Sequence, residues 1–488
     1  MPDYIDYLDT LSRKQLMLML ARQHLRETES IAVVGLGCRL PGEIDDGPQL
    51  WSALRSKTVV PTAGPPTDSL GRPRWNLDAP DLRPFADLLR RGRFLSGIDL
   101  FDAERFAISP AEAASMDPQQ RVLLEVAVRA LADAGLDPAD LATSTVGVFA
   151  GSGPVEYPYA WLRNGTPAAE LSGHMATGSA AGAVSGRVAH ALGVSGPAMT
   201  VDTASSSMLS AVHLACQSLR RRECDIAVVG TCSLLLSPFS APILADAGML
   251  SPTGTSLPFT ASADGYVRGE GASVVVLERQ SDAVRAQRLP YALVRGSAMY
   301  QQGDRPGLAV ASSAGQRKVI ELALADARLE PADVHYVEAQ ANGSKIGGVI
   351  EAESLSAAYR PDGSGVPLYV GSCKANLGYL EHASGGPGLL KAVLALDRAE
   401  IPPQVGADDA DPALAWDRLG LRLAAEPLPW PSDGPRRAAV SGFGFTGTMA
   451  HVVLESAATA QGTTAGQRRP ELPAFAGERH WPDHNTWC

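Results

Sequence analysis

An α/β fold with a mostly parallel sheet under helical cover is predicted by three observations. Short β-branched runs alternate with helical patterns along most of the chain. The same strand–loop–helix rhythm occurs in both halves, which suggests internal duplication. The chain has 488 residues, 45% hydrophobic and 19% charged, enough for a large soluble core in two or three domains or one large duplicated one.

The elements follow in order. Residues 1–29 read as a helix, with Leu8, Leu11, Leu16, Leu18, Met19 and Leu25 against charge, too short to fold alone and therefore expected to pack on a neighbour or partner. Ile31–Val34 opens a strand into a glycine turn. Residues 60–85 are Pro/Gly/Asp-rich loop. "MDPQQRVLLEVAVRALADAG" is a helix with Asp117 as cap, Pro118 in its first turn and Gly135 as stop. "STVGVFAGSG" is a buried strand, and "SAAGAVSGRVAHALGV" a small-residue helix. The second half repeats the pattern: "YALVRGSAM" strand, "AGQRKVIELALADARL" helix, "VHYVEAQANGS" strand into loop, and "PLYVGSCKANLGYLEHASGGPGLLKAVLALDR" strand, loop, helix. "RRAAVSGFGFTGTMAHVVLESA" is two strands about a glycine turn, and the chain beyond 456 is linker-like, with apolar anchors near Phe475 and Trp481.

Several function classes are disfavoured. Net charge is −11, which argues against nucleic acid as main partner. No apolar run is long enough to span a bilayer, and the acidic start "MPDYIDYLDT" lacks a secretion signal's basic region, so a cytoplasmic protein is expected. The six cysteines, Cys38, Cys216, Cys224, Cys232, Cys373 and Cys488, form no CxxC pair; buried free thiols are expected and no metal site. Gly442, Gly444 and Gly447 have the dinucleotide spacing, but strand rather than helix follows, so they read as a turn bringing backbone N–H groups near a ligand.

The stretch "VDTASSSMLSAVHLACQSL" places Ser205 where a buried helix begins. Met208, Val212, Ala215 and Leu219 share one face. A helix N-terminus stabilises a thiolate, yet does little for a serine hydroxyl, which needs an adjacent base. Ser205, Ser206 and Ser207 therefore either cap the helix or present a nucleophile without an obvious activator.

These motifs carry a resemblance. "MDPQQRVLLE", "GPAMTVDTASSSMLSAVHLACQSL", "ADGYVRGEGASVVVLERQSDA", "VEAQANGS" and "GSCKANLGYLE" fall in the order and spacing of the β-ketoacyl synthases, and the chain resembles the ketosynthase domain of modular type I polyketide synthases over nearly its whole length. The resemblance implies a thiolase fold, two similar halves in a five-layered α/β core, usually a homodimer. It divides the chain into a docking or linker helix (1–29), an N-terminal half (30–289), a C-terminal half (290–456) and a post-ketosynthase linker (457–488). The family's cysteine and two histidines would map to Ser205, Gln340 and Tyr379; Asn342 replaces a further pattern residue. The oxyanion hole would use the backbone N–H groups of Ser205 and Phe445. Lys374 and Glu381 match the pattern, as a structural ion pair or as site residues. His382 stands where the family usually has a small residue; it is either a surface histidine at a helix start or a displaced base sharing a helix face with Tyr379. His174, His213, His335 and His451 read as structural.

The expected substrate is an acyl chain on the phosphopantetheine arm of an acyl carrier protein, with no other cofactor, and with other polyketide synthase subunits as partners. Without thiol or imidazoles, decarboxylative condensation is not expected. The leading expectation is a non-elongating step: transacylation, cyclisation, dehydration or isomerisation. The alternatives are a silent partner that shapes a tunnel or passes chains between modules, and, less well supported, a malonyl decarboxylase, since such relatives keep the histidines.

Overall fold

The computed structural model describes residues 2–62, 64, 66–159, 171–305, 307–457 and 472–481. Helices α1 (Pro2–Asp9) and α2 (Arg13–Glu27) replace the single N-terminal helix expected. The break is a capping box: Ser12 Oγ accepts from the Gln15 N–H, and the Ser12 N–H donates back to Gln15 Oε1 at 2.8 Å. No residue of α2 is buried, and Met17, Leu18, Leu20 and Leu25 face solvent.

The body follows: β1 (Ile31–Arg39), α3 (Pro118–Asp133), β2 (Val146–Ser152), α4 (Ala183–Ala191), β3 (Ala198–Val201), α5 (Ser207–Arg220), β4 (Ile226–Ser233) and β5 (Gly271–Arg279). Then come β6 (Ala292–Gln301), α6 (Ser313–Ala327), β7 (Tyr336–Glu338), α7 (Lys345–Tyr359), β8 (Leu368–Gly371), α8 (Gly385–Arg398), β9 (Leu421–Leu423), β10 (Arg437–Phe443) and β11 (Thr448–Ser456). Local signals act as read: Asp117 accepts from the Gln119 N–H at 2.8 Å to cap α3, and Gly135 takes φ +67 just past its end.

The eleven strands form one mixed sheet, ordered β9-β8-β7-β10-β11-β6-β1-β5-β4-β2-β3. The order β3-β2-β4-β5-β1 recurs as β8-β7-β10-β11-β6, with the same directions: the two outer pairings parallel, the two inner antiparallel. Only Ile31–Val33 and Ala292–Val294 join the two sets. The half-sheets therefore fold over α5 and α8, each of which touches strands of both. Gly385 lets these helices meet, since a Cβ there would stand 3.2 Å from Met208 Cβ. Helices α3 and α4 cover the outer face of the first half-sheet, and α6 that of the second, completing five layers. This is the duplicated α/β architecture expected.

The five described cysteines are buried, and burial pushes the Cys216 thiol up to about 12. Of the expected linker, 458–471 and 482–488, with Cys488, lie outside the described residues. Its anchors dock: Glu478–Arg479 pairs with Leu100–Phe101, Phe475 stacks on Phe106 and Trp481 packs on Tyr157.

Candidate active site

The elbow before α5 is shaped by Ala204, held at φ +53, a conformation a non-glycine residue adopts only under local compulsion. The three hydroxyls behind it divide their work. Ser207 Oγ donates to the Ala204 carbonyl at 2.7 Å and accepts from the Thr203 N–H at 2.9 Å. Ser206 Oγ donates to the carbonyls of Thr203 (2.8 Å) and Thr448 (3.0 Å). Neither caps α5. Ser205, 3% exposed, points its hydroxyl at the hydroxyl of Tyr379.

Tyr379 arrives from the other half of the chain. Its backbone is pinned in a bridge to Arg268: its N–H donates to the Val267 carbonyl at 2.8 Å, and its carbonyl accepts from the Gly269 N–H at 2.9 Å. Tyr266 packs edge-on against its ring at 4.7 Å. Gln340 completes the cluster: Nε2 donates to Tyr379 Oη at 3.4 Å, and Oε1 accepts from the Phe443 N–H at 3.4 Å. Ser205, Gln340 and Tyr379, 174 and 39 residues apart in the two pairings, thus converge on one point.

Burial pushes the Tyr379 phenol up to about 12, Glu381 adding to the shift and the Ser205 and Gln340 hydrogen bonds opposing it. The phenol is neutral at physiological pH. Among the described residues, no imidazole or carboxylate is hydrogen-bonded to Ser205 Oγ. The cluster offers neutral donors suited to a carbonyl oxygen and lacks a proton acceptor of its own.

The remaining expected residues separate. Glu381 and Lys374 do not pair. Glu381, held at φ +50, is gripped by Arg268 through two bonds of 2.6 and 3.1 Å. Lys374 is buried and donates to the Ala339 carbonyl at 3.1 Å, beside Glu338. The two charges are satisfied on different elements. Asn342 Oδ1 accepts from the Ser344 N–H at 3.0 Å, an Asx turn leading into α7. Phe445 lies at the tip of the β10–β11 hairpin, 56% exposed. That hairpin leans on the elbow: a Cβ on Gly444 would stand 2.3 Å from the Thr203 carbonyl oxygen.

His382 shares no helix face with Tyr379, because the helix expected there is a single 3-10 turn, Glu381–Ala383, and Tyr379 precedes it. Its ring turns to Asp202, Nε2 lying 3.4 Å from Oδ1. His213 and His451 are tied to Ser297 and to Tyr359 and Ser441, a structural role as read.

Sequence reasoning missed Tyr266, Arg268, Asp202 and Glu351. The first two lie inside the "ADGYVRGEG" motif, whose length was a usable signal. Glu351 is buried and accepts the backbone N–H groups of Gln340 (2.8 Å) and Ala341 (2.7 Å), fixing the strand end that carries Gln340. A cavity of about 580 Å³ lined by Arg39, Phe94, Glu125, Arg129 and Phe475 lies elsewhere; none of Ser205, Gln340 and Tyr379 lines it.

Comparison with known proteins agrees with this architecture. Residues 28–283 match the N-terminal domain of β-ketoacyl synthase and residues 291–408 its C-terminal domain. The chain is 44% identical over 462 residues to a phenolphthiocerol/phthiocerol polyketide synthase of Mycobacterium tuberculosis, covering 92% of this chain and 21% of that protein. It is 42% identical over 437 residues to polyketide synthase GfsE of Streptomyces halstedii, covering 88% of this chain and 11% of that one. The chain therefore spans about a fifth or less of the length of these relatives. Among solved structures, an oxazolomycin ketosynthase domain from Streptomyces albus JA3453 superposes with a TM-score of 0.80 at 33% identity, over 88% of this chain and 75% of that one. The ketosynthase from module 6 of the bacillaene synthase of Bacillus subtilis 168 gives 0.78 at 31%, over 88% and 73%. With both halves matched in order and the same fold in ketosynthases of this similarity, the chain belongs to the β-ketoacyl synthase family.

Proposed function

We propose that this chain serves a polyketide pathway by acting on acyl groups carried on the phosphopantetheine arm of an acyl carrier protein, without extending them. The step is a non-elongating one: transacylation, cyclisation, dehydration or isomerisation. The observation that carries this reading is the Ser205–Tyr379–Gln340 cluster, which pairs two hydroxyls and an amide where decarboxylative condensation asks for a thiolate and cationic polarisation. The similarity to polyketide synthases supports the pathway and its other subunits as partners. The phosphopantetheine arm is the only prosthetic group the reading calls for. We propose a homodimer, supported by the position of β3 at the sheet edge with Ala198 and Met199 exposed, and, from the sequence reading alone, a cytoplasmic location. No described helix is long and apolar enough to cross a membrane.

Burial of Ser205 beneath Tyr379 favours a second reading, a silent partner that shapes a tunnel or hands chains on. Incubating the full chain with acyl-loaded carrier protein and malonyl-loaded carrier protein, followed by intact mass spectrometry and by chromatography of the hydrolysed acyl group against the starting acid, tests both. The first reading expects an altered or transferred acyl group of unchanged carbon count; the second expects binding alone. Growth of the chain by malonyl units in the native protein overturns the proposal.

A further inference from the structure

We infer that Arg305 is a positioning residue for the acyl carbonyl: by gripping the turn between β10 and β11, it holds the Phe445 N–H beside the Ser205 elbow as a hydrogen-bond donor. This rests on the reading that the chain binds pantetheine-borne acyl groups, and adds to it a residue outside the Ser205–Tyr379–Gln340 cluster.

The turn runs from Gly444 to Gly447. The Gly447 N–H donates to the Gly444 carbonyl at 2.8 Å, closing a four-residue turn with Phe445 and Thr446 at its centre. Its base is fixed to the elbow. The Gly444 N–H and Ser206 Oγ both donate to the Thr448 carbonyl, at 2.8 and 3.0 Å. The Phe443 N–H donates to Gln340 Oε1 at 3.4 Å, so the strand end leading into the turn is tied to the cluster itself. Phe445 follows two residues on. Among the described residues, neither its N–H nor that of Ser205 has a hydrogen-bond partner.

Arg305 reaches the turn from the chain after β6. Its Nη2 donates to the Thr446 carbonyl at 3.0 Å, and its Nη1 to the Val310 carbonyl at 3.2 Å. Gln301, the last residue of β6, gives the Thr446 carbonyl a second donor at 3.3 Å and accepts from Thr448 Oγ1 at 2.9 Å. The guanidinium lies against the Gly447 backbone, where a Cβ would stand 1.9 Å from Nη2. Glycine is required there twice over, by that contact and by a φ of +100. The neighbours of Arg305 are themselves held: Ser312 Oγ donates to Gln302 Oε1, and Gln302 Nε2 donates to the Asp304 carbonyl at 3.0 Å.

The grip reaches Phe445 because a trans peptide is planar, with its N–H pointing opposite to its C=O. Holding the Thr446 carbonyl orients the Gly447 N–H. That N–H orients the Gly444 carbonyl, and the Gly444 carbonyl orients the Phe445 N–H. A charged donor on the first carbonyl makes the strongest link of the series. Without it, only the longer Gln301 bond restrains the centre of the turn. A donor fixed in place before the carbonyl arrives is worth more than one that must be ordered on binding.

The test uses the full chain and two non-cleavable analogues of octanoyl-pantetheine. One is a ketone with a methylene in place of the thioester sulfur; the other is octyl-pantetheine, a thioether without the carbonyl. The native protein should bind the ketone more tightly. Arg305→Met, which keeps the apolar stem and removes the donors, is expected to weaken ketone binding about tenfold and to leave thioether binding unchanged. Arg305→Lys, which keeps one donor, should fall between. The infrared band of a ¹³C-labelled ketone carbonyl should lie at higher frequency on Arg305→Met than on the native protein, and amide exchange across 444–447 should quicken. Equal losses with both analogues, ketone affinity and band unchanged in Arg305→Met, or equal native affinity for both analogues each overturn the role of Arg305 while leaving acyl binding standing. A native protein that binds neither analogue overturns the underlying reading instead.

Discussion

Replacing Glu351 by Gln tests how the strand end carrying Gln340 is held. Glu351 is buried, and its two oxygens accept from consecutive backbone N–H groups at 2.8 and 2.7 Å. Burial pushes its carboxyl from the ordinary 4.5 up to about 7, those two bonds and Lys374 opposing the shift. The fold therefore favours the neutral acid. Its contribution is complete below pH 4.5 and is lost as pH rises through about 7. The gap corresponds to about 3 kcal/mol in total, of which about 2–3 kcal/mol falls between pH 5 and pH 8. Glutamine cannot ionise, so the advantage of the native protein over Glu351→Gln should be about 2–3 kcal/mol smaller at pH 8 than at pH 5. Asp117 and Glu156, also raised by burial, titrate in both proteins and cancel in the difference. Guanidinium unfolding of both proteins across this range measures it. A native–variant difference that stays constant with pH would refute the assignment of Glu351 as a buried acid shifted by desolvation.

Two further substitutions probe the site directly. Tyr379→Phe removes the hydroxyl shared by Ser205 and Gln340, and is expected to cost about 1–3 kcal/mol in the same unfolding assay; a loss below about 0.5 kcal/mol would mean the hydroxyl pair is not formed in solution. Arg268→Ala strands the Glu381 carboxylate and should cost about 3–5 kcal/mol, partly recovered in the double variant with Glu381→Gln; equal losses in the single and double variants would show that the pair does not hold the Tyr379 bridge.

The order of strands and helices was legible because the signals are local. Asp117 and Pro118 open α3, Gly135 ends it, and alternating patterns mark β10 and β11 about the glycine turn. The same locality explains the misreadings. Residues 1–29 show one amphipathic stripe, and only the reciprocal bonds of Ser12 and Gln15 divide it. Glu381 and Lys374 look like partners because they are seven residues apart, yet Arg268, 113 residues from Glu381 in sequence, reaches it first. His382 stands out in the sequence as unusual, but its partner Asp202 carries no mark in a chain that contains many acids.

Sequence alone determined the α/β class, the helix start that seats Ser205, and the chemical kinds of the residues around it, since turn chemistry and apolar period are encoded over a few residues. Tertiary structure alone decided that Ser205, Gln340 and Tyr379 meet, that Glu381 belongs to Arg268, and that His382 turns from the tyrosine toward Asp202. The physical reason is that these contacts depend on how two half-sheets joined through only a few residues close over α5 and α8, and on which partner then satisfies each buried polar group.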